Sequence, residues 1–93
     1  MGFDRDSAAA AAKADLARRL RLKESDVSIS AVSEKDFPDG SLGAPTKGEM
    51  SAQMISSGWQ ISLGVRGKNY EYRADKSQLR LKGFEGRNHV VRT

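Results

Sequence analysis

Residues 59–81 read W-Q-I-S-L-G-V-R-G-K-N-Y-E-Y-R-A-D-K-S-Q-L-R-L, and the alternation in this stretch decides the fold class. Trp59, Ile61, Leu63 and Val65 fall on one side of an extended chain, with Gln60, Ser62 and Arg66 on the other. That period of two is the pattern of a strand with one dry and one wet face. Arg66-Gly67-Lys68 makes a tight turn of hairpin type, Asn69–Ala74 returns, Ala74–Ser77 turns again, and Leu79–Leu81 closes with Arg80 and Lys82 directed away from the dry side. Links this short cannot make parallel crossovers, so the sheet is expected to be antiparallel.

Upstream, a polar lead Met1–Arg5 precedes an alanine-rich segment of high helix propensity, with Asp6 or Ser7 as the expected N-cap. Ala9, Ala12, Leu16 and Leu20 recur at spacings of three and four, with Ala17 alongside, so a helix ending near Leu22 should pack through Leu16 and Leu20. Lys23-Glu24-Ser25-Asp26 turns the chain, and Val27, Ile29 and Ala31 alternate with serines as a first strand. Met50–Ser56 is strand-like, with Ser57-Gly58 as its break. The tail E-G-R-N-H-V-V-R-T, residues 85–93, shows no pattern and is expected to be loose. The expectation is an α+β fold: one N-terminal helix packed on a sheet of four or five antiparallel strands, a single domain over 6–84, with a flexible lead 1–5 and a flexible tail 85–93.

Between the first two strands lies Phe37–Gln53, F-P-D-G-S-L-G-A-P-T-K-G-E-M-S-A-Q, which holds both prolines of the chain together with Gly40, Gly43 and Gly48. A stretch so dense in turn residues reads as one long, ordered, internally packed loop of the kind that carries function. Pro38, Asp39 and Gly40 suit the successive positions of a type I turn over Phe37–Gly40, with Gly40 left-handed. Phe37 then anchors the loop to the domain, and Leu42 and Met50 pin its limbs. Asp36, Asp39 and Glu49 fit no calcium-loop spacing and read as turn carboxylates.

At 93 residues a chain buries roughly 60 to 65% of its unfolded surface, which leaves little room for a deep catalytic cleft and favours a binding module. No cysteine occurs, which excludes a disulfide framework and thiolate zinc sites. The single histidine, His89, lies in the tail with no carboxylate beside it, and the serines have no placed histidine with which to form a triad, so no enzyme activity, metal or cofactor is expected. Residues 1–46 carry 7 basic and 8 acidic side chains and residues 47–93 carry 9 and 4, so the net charge of +4 resides in the second half. No apolar run approaches the 18 or so residues needed to span a membrane. Ala8–Ala12 is flanked by Asp4, Asp6, Lys13 and Asp15 and does not read as an export signal. Localisation stays open: cytoplasmic as written, exported if the chain is a mature domain. The expected state is a monomer or weak dimer.

Two resemblances are carried by these residues. The helix, strand, connection and the hairpin bearing Tyr70-Glu71-Tyr72 then Asp75, over residues 9–82, resemble the PepSY type of domain found in peptidase propeptides and bacterial envelope proteins. The loop and the strand after it resemble a small uncharacterised bacterial family whose loop reads roughly W-P-D-G-C-L-G-x-P-x-x-G-E-M-C-A-Q, followed by G-[YW]-x-[IV]-x-L. Phe37-Pro38-Asp39-Gly40, Leu42-Gly43, Pro45, Gly48-Glu49-Met50, Ala52-Gln53 and Gly58-Trp59-Gln60-Ile61 stand in those places. At Ser41 and Ser51 this chain departs from cysteines in that pattern. The resemblance implies that those cysteines form one bond and that the two serines lie close together.

Two functional expectations follow. In the preferred one, the 37–59 region is the interaction surface of a non-catalytic protein-binding module, and the PepSY resemblance implies a peptidase-inhibitor-like mode. Its candidate residues are Phe37, Pro38, Asp39, Gly40, Leu42, Gly43, Pro45, Glu49, Met50 and Trp59, the last readable either as core or as an anchor at the loop rim. In the alternative, a basic outer face of Arg66, Lys68, Arg73, Arg80 and Lys82 binds nucleic acid weakly and without sequence preference, Tyr70 or Tyr72 supplying a stacking surface.

Overall fold

A computed structural model of the chain describes residues 2–92. Helix α1, Arg5–Leu20, is followed by a short 3-10 turn at Glu24–Asp26 and five strands: β1 Ser28–Phe37, β2 Ser56–Val65, β3 Lys68–Ala74, β4 Leu79–Phe84 and β5 Arg87–Arg92. The strands form one antiparallel sheet in the order β1-β2-β3-β4-β5, with α1 on one face.

The cap of α1 is Asp4, earlier than expected. Its carboxylate accepts from the Ser7 N–H at 2.8 Å while the Ser7 hydroxyl accepts from the Asp4 N–H at 2.9 Å, a reciprocal capping box. Those bonds to Ser7 hold the Asp4 carboxyl below the usual range. Helix α1 ends at Leu20, and Arg21 takes the left-handed conformation that closes it. The lead thus takes part in the fold: Phe3 donates its N–H to the Lys76 carbonyl at 2.7 Å, although Met1 lies outside the described residues. Ala8, Ala9, Ala12, Leu16 and Ala17 are buried, whereas Leu20 is half-buried at the edge of the contact. Alanines admit close approach, so most of the apolar volume comes from the sheet: Ile61, Leu63, Val65, Tyr72, Ala74, Leu79 and Leu81.

Three expectations change. The segment read as a tail contains β5, and the signal was present in Glu85-Gly86: both residues have positive φ, 53° and 81°, like Arg66-Gly67 at 50° and 82°. Two such residues in succession make the type I′ turn whose twist suits a hairpin, so both links rest on the same chemistry. Thr93, the last residue of the expected tail, lies outside the described residues. Second, Ser57-Gly58 lies inside β2, and Met50–Ile55 belongs to the loop. A side chain at Gly58 would run into the Ala74 carbonyl, so the glycine admits a neighbouring strand. Third, the alternation of β1 is broken by a register shift between Ile29 and Ala31. After this bulge Val32, opposite Ile61, takes the inward side that simple alternation assigns to Ala31.

Leu16→Ala is expected to lower stability by about 2 to 4 kcal/mol, because the leucine is fully buried. Leu20→Ala should cost less, at the half-buried margin. Urea unfolding of both variants checks this, and equal losses would show that the burial difference does not govern the helix contact.

Candidate functional site

Part of the face of the sheet opposite α1, around Arg73 and Arg80, is covered by the loop between β1 and β2. Phe37, at the end of β1, is fully buried, as are Ser41, Leu42 and Ala44, and the expected anchor role of Phe37 agrees with this. The first turn differs from the expectation. The Gly40 N–H donates to the Ala52 carbonyl at 2.9 Å, joining the two limbs of the loop, and the left-handed conformations fall at Leu42 (φ 60°) and Gly43 (φ 67°). The Asp39 carboxylate organises this bend, accepting from the Ser41 hydroxyl at 2.6 Å, the Ser41 N–H at 3.0 Å and the Gly43 N–H at 3.2 Å. These bonds, the Ser41 hydroxyl first, lower its pKa.

Loop carbonyls turned toward the sheet need donors where water is excluded, and the sheet's polar side chains supply them. Gln78 Nε2 donates to Gly40 O at 2.7 Å, Arg73 Nη1 to Leu42 O at 2.9 Å, Arg80 Nη1 to Ala44 O at 3.1 Å and Asn88 Nδ2 to Pro45 O at 2.9 Å. Arg80 also makes a two-point pair with Glu49, at 2.6 Å and 2.5 Å, and donates through Nε to Gln78. Arg73 is held by Glu71 at 2.7 Å and lies 5.3 Å from the centre of the Phe37 ring. The Arg80 guanidinium and then the Thr46 N–H bring the Glu49 carboxyl down to about 2. A non-glycine residue with positive φ is strained; at Leu42 burial of the side chain and capture of the carbonyl by Arg73 hold it in place.

The expected basic face is therefore divided. Arg73 and Arg80 are buried beneath the loop, while Arg66, Lys68 and Lys82 are exposed. Lys68 and Lys82 share a cleft with Glu71 and Glu85. Tyr72 is fully buried on the helix side, its hydroxyl donating to Asp15 at 2.7 Å, and Asp15 also accepts from Arg18 and Arg19. Burial, and next the Asp15 carboxylate, push the Tyr72 phenol well above its usual range. Tyr70 is half-buried, its ring 6.1 Å from that of Phe84. The arginines that sequence alternation placed on an open surface are the fasteners of the loop.

The expected interaction residues also separate into two groups. Phe37 and Leu42 are interior. Pro38 and Pro45 are exposed, Asp39, Gly40 and Gly43 are half-buried, and Glu49 faces Arg80. Trp59 is half-buried and packs against the core, as the core alternative for it held. Met50 is the clear correction: expected to pin the limbs, it is 97% exposed. Met54 and Ile55, outside the expected set, are 62% and 72% exposed. The limb 50–55 thus presents three large apolar side chains to solvent directly after Glu49, which Arg80 holds, while its own Ala52 carbonyl accepts from Gly40. No His, Cys, Asp or Glu cluster suited to a metal occurs among the described residues. Asp36 accepts from Ser57, which with Asp39 and Glu49 accounts for all three loop carboxylates. Among the described residues no helix is long and apolar enough to cross a membrane.

The sequence profile described as "Domain of unknown function (DUF8738)" matches residues 9–82, a span that includes α1 from its second turn, the whole loop and the strands through most of β4. No curated protein and no solved structure gives a significant match.

Two outcomes are expected of the clamp. Glu49→Gln should destabilise the protein by about 1 kcal/mol at neutral pH, because the carboxylate is solvent-screened and glutamine can still accept from Arg80. Because the folded pKa of Glu49 lies below its ordinary value of 4.5, this contribution is complete above that value and is lost as pH falls toward about 2. Denaturant unfolding of both proteins across that interval should show the gap closing, and a gap independent of pH would count against the ion pair. The Gly40–Ala52 bond also joins the limbs one residue away from both Ser41 and Ser51. The variant Ser41→Cys with Ser51→Cys should oxidise to an intramolecular disulfide and melt higher than its reduced form, by roughly 2 to 3 kcal/mol in the loop-entropy estimate. Thiols that persist under air would show that the limbs do not bring these positions together.

Proposed function

The chain belongs to the DUF8738 family, and we propose that it is a non-catalytic protein-binding module whose docking surface is the limb 50–55 with the adjoining start of β2. The observation that carries this reading is the exposure of Met50, Met54 and Ile55 on a segment whose neighbours are fixed to the sheet. A soluble domain with so small a core gains nothing from exposing three such side chains within six residues. Covering each can contribute about 1.5 to 3 kcal/mol at most, and methionine adapts its shape to an irregular apolar cleft. Because the limb is anchored at Glu49 and by Gly40 to Ala52, little ordering entropy is lost on docking.

The partner is a protein presenting an apolar cleft. The PepSY resemblance of the hairpin favours a peptidase groove as that cleft, in the manner of an inhibitor or propeptide, and the loop resemblance favours a surface shared with a bacterial family of the same loop pattern. Binding of nucleic acid through the outer face has less support, since Arg73 and Arg80 are engaged by the loop and Tyr72 by Asp15.

The expected outcome of Met50→Ser, Met54→Ser and Ile55→Ser combined is unfolding free energy changed by less than about 0.5 kcal/mol per site, as for exposed positions, with loss of partner capture. A photo-crosslinking residue at Ala52 should trap one protein from the source lysate, and the triple change should abolish the adduct. An adduct that survives the triple change, or a wild-type chain that crosslinks only nucleic acid, would overturn the reading.

A further inference from the structure

Strand β5 is an outer strand of the sheet, and among the described residues none of 87–92 forms a backbone hydrogen bond outside the sheet. Backbone donors and acceptors on its outer side therefore face a groove of about 640 Å³ that runs along Gly86–Val90, although register shifts against β4 between Leu79 and Arg80 and between Leu81 and Phe84 break the strict alternation. Arg19 stands on the helix side of this groove and Pro45–Lys47 of the loop on the other, with Arg87, Asn88 and His89 between. Its lining contains three Lys or Arg side chains and no acidic residue. The acids nearest in sequence are directed elsewhere: Glu49 binds Arg80 with both oxygens, and Glu85 lines the cleft beside Lys68 and Lys82. Arg19 gives its Nε to Asp15 at 2.7 Å and sits 5.8 Å from the Phe84 ring centre. The groove is built as well as basic. Asn88 ties the loop to β5 through Pro45, and its Oδ1 accepts from Gly83 at 2.9 Å; the His89 ring packs edge-on against Phe84 with Nε2 3.2 Å from the Phe84 carbonyl.

We propose that the open edge of β5 takes up an extended, acidic segment of a partner protein as a sixth strand. Backbone pairing supplies the affinity of such strand addition, and side chains at alternate positions supply the choice of sequence. Here cations stand on both sides of the strand path, so a glutamate or aspartate at every second residue meets Arg19 or meets Lys47, whichever way the segment lies. The same charge opposes pairing of two β5 edges, since it would bring the Lys47 and Arg87 of two copies together. An acidic segment relieves that repulsion, which is the ground for choosing it over a second copy. This surface is separate from the limb 50–55, so either reading stands or falls without the other.

The probe is a fluorescein-labelled eight-residue peptide of alternating glutamate and valine, titrated with the full chain and followed by anisotropy at about 150 mM salt. The peptide should bind. The doubly changed variant Lys47→Glu, Arg87→Glu, both positions being exposed, should keep its circular dichroism and melting temperature and bind about tenfold or more weakly, as reversal of complementary charges requires. The same peptide with every backbone nitrogen methylated retains its charge, offers no N–H from either edge and should not bind. The chain carrying the triple serine change at 50, 54 and 55 should bind like the wild type. Absence of binding, equal binding of a lysine-valine peptide or of the methylated peptide, displacement by a short single-stranded DNA at equal concentration, or a concentration-dependent dimer lost in the doubly changed variant would each overturn the proposal.

Discussion

The pairing of Arg73 and Arg80 with carbonyl oxygens of the loop is the constraint on which the rest of the structure depends. A five-stranded meander with a single helix has two faces and only one helix to cover them. In this chain part of the second face is covered by backbone with no ladder of its own. Backbone without a ladder can be buried only if something else satisfies its carbonyls, and the guanidinium groups, each with five donors in a fixed fork, do so while paired to Glu71 and Glu49. A lysine at either position could not reach a carboxylate and a carbonyl with the same planar geometry.

That arrangement explains how charged strand positions become interior. Burying an arginine is unfavourable unless its charge is paired and its donors are used. At Arg80 the Glu49 carboxylate, Ala44 and Gln78 use them; at Arg73 Glu71 and Leu42 do, with the Phe37 ring beneath. On the helix side the same principle recurs once, where Asp15 is buried with Tyr72, Arg18 and Arg19 as donors. The fold is thus three layers, helix, sheet and loop, with an apolar interface above the sheet and a largely polar one beneath it.

The division also decides what is left over for partners. Phe37, Ser41, Leu42 and Ala44 are consumed by packing, so the exposed apolar side chains of the loop collect in residues 50–55, and two of the cations outside the clamp, Lys47 and Arg87, stand beside the open edge of β5.

The amino-acid sequence by itself determined the helix, through alanine propensity and the Leu16 stripe, and the strands β2, β3 and β4, through alternation and the Arg66-Gly67 turn. These are local effects, set by spacing and backbone preference. It also marked residues 37–53 as a loop and Phe37 as its anchor. The cap at Asp4, the bulge in β1 and the pairing of β5 were harder to read: the first competes with two neighbouring cap residues, the second shifts a period by one, and the third rests on an Arg-Asn-His-Val-Val run too polar to announce a strand. Only the tertiary structure decided which face the loop would cover, and with it that Arg73 and Arg80 are buried and Met50 is bare. Alternation can assign a side chain to a face. Whether that face meets water depends on what a distant segment does, and here the segment is held by hydrogen bonds spanning 31 to 43 residues, which no local pattern records.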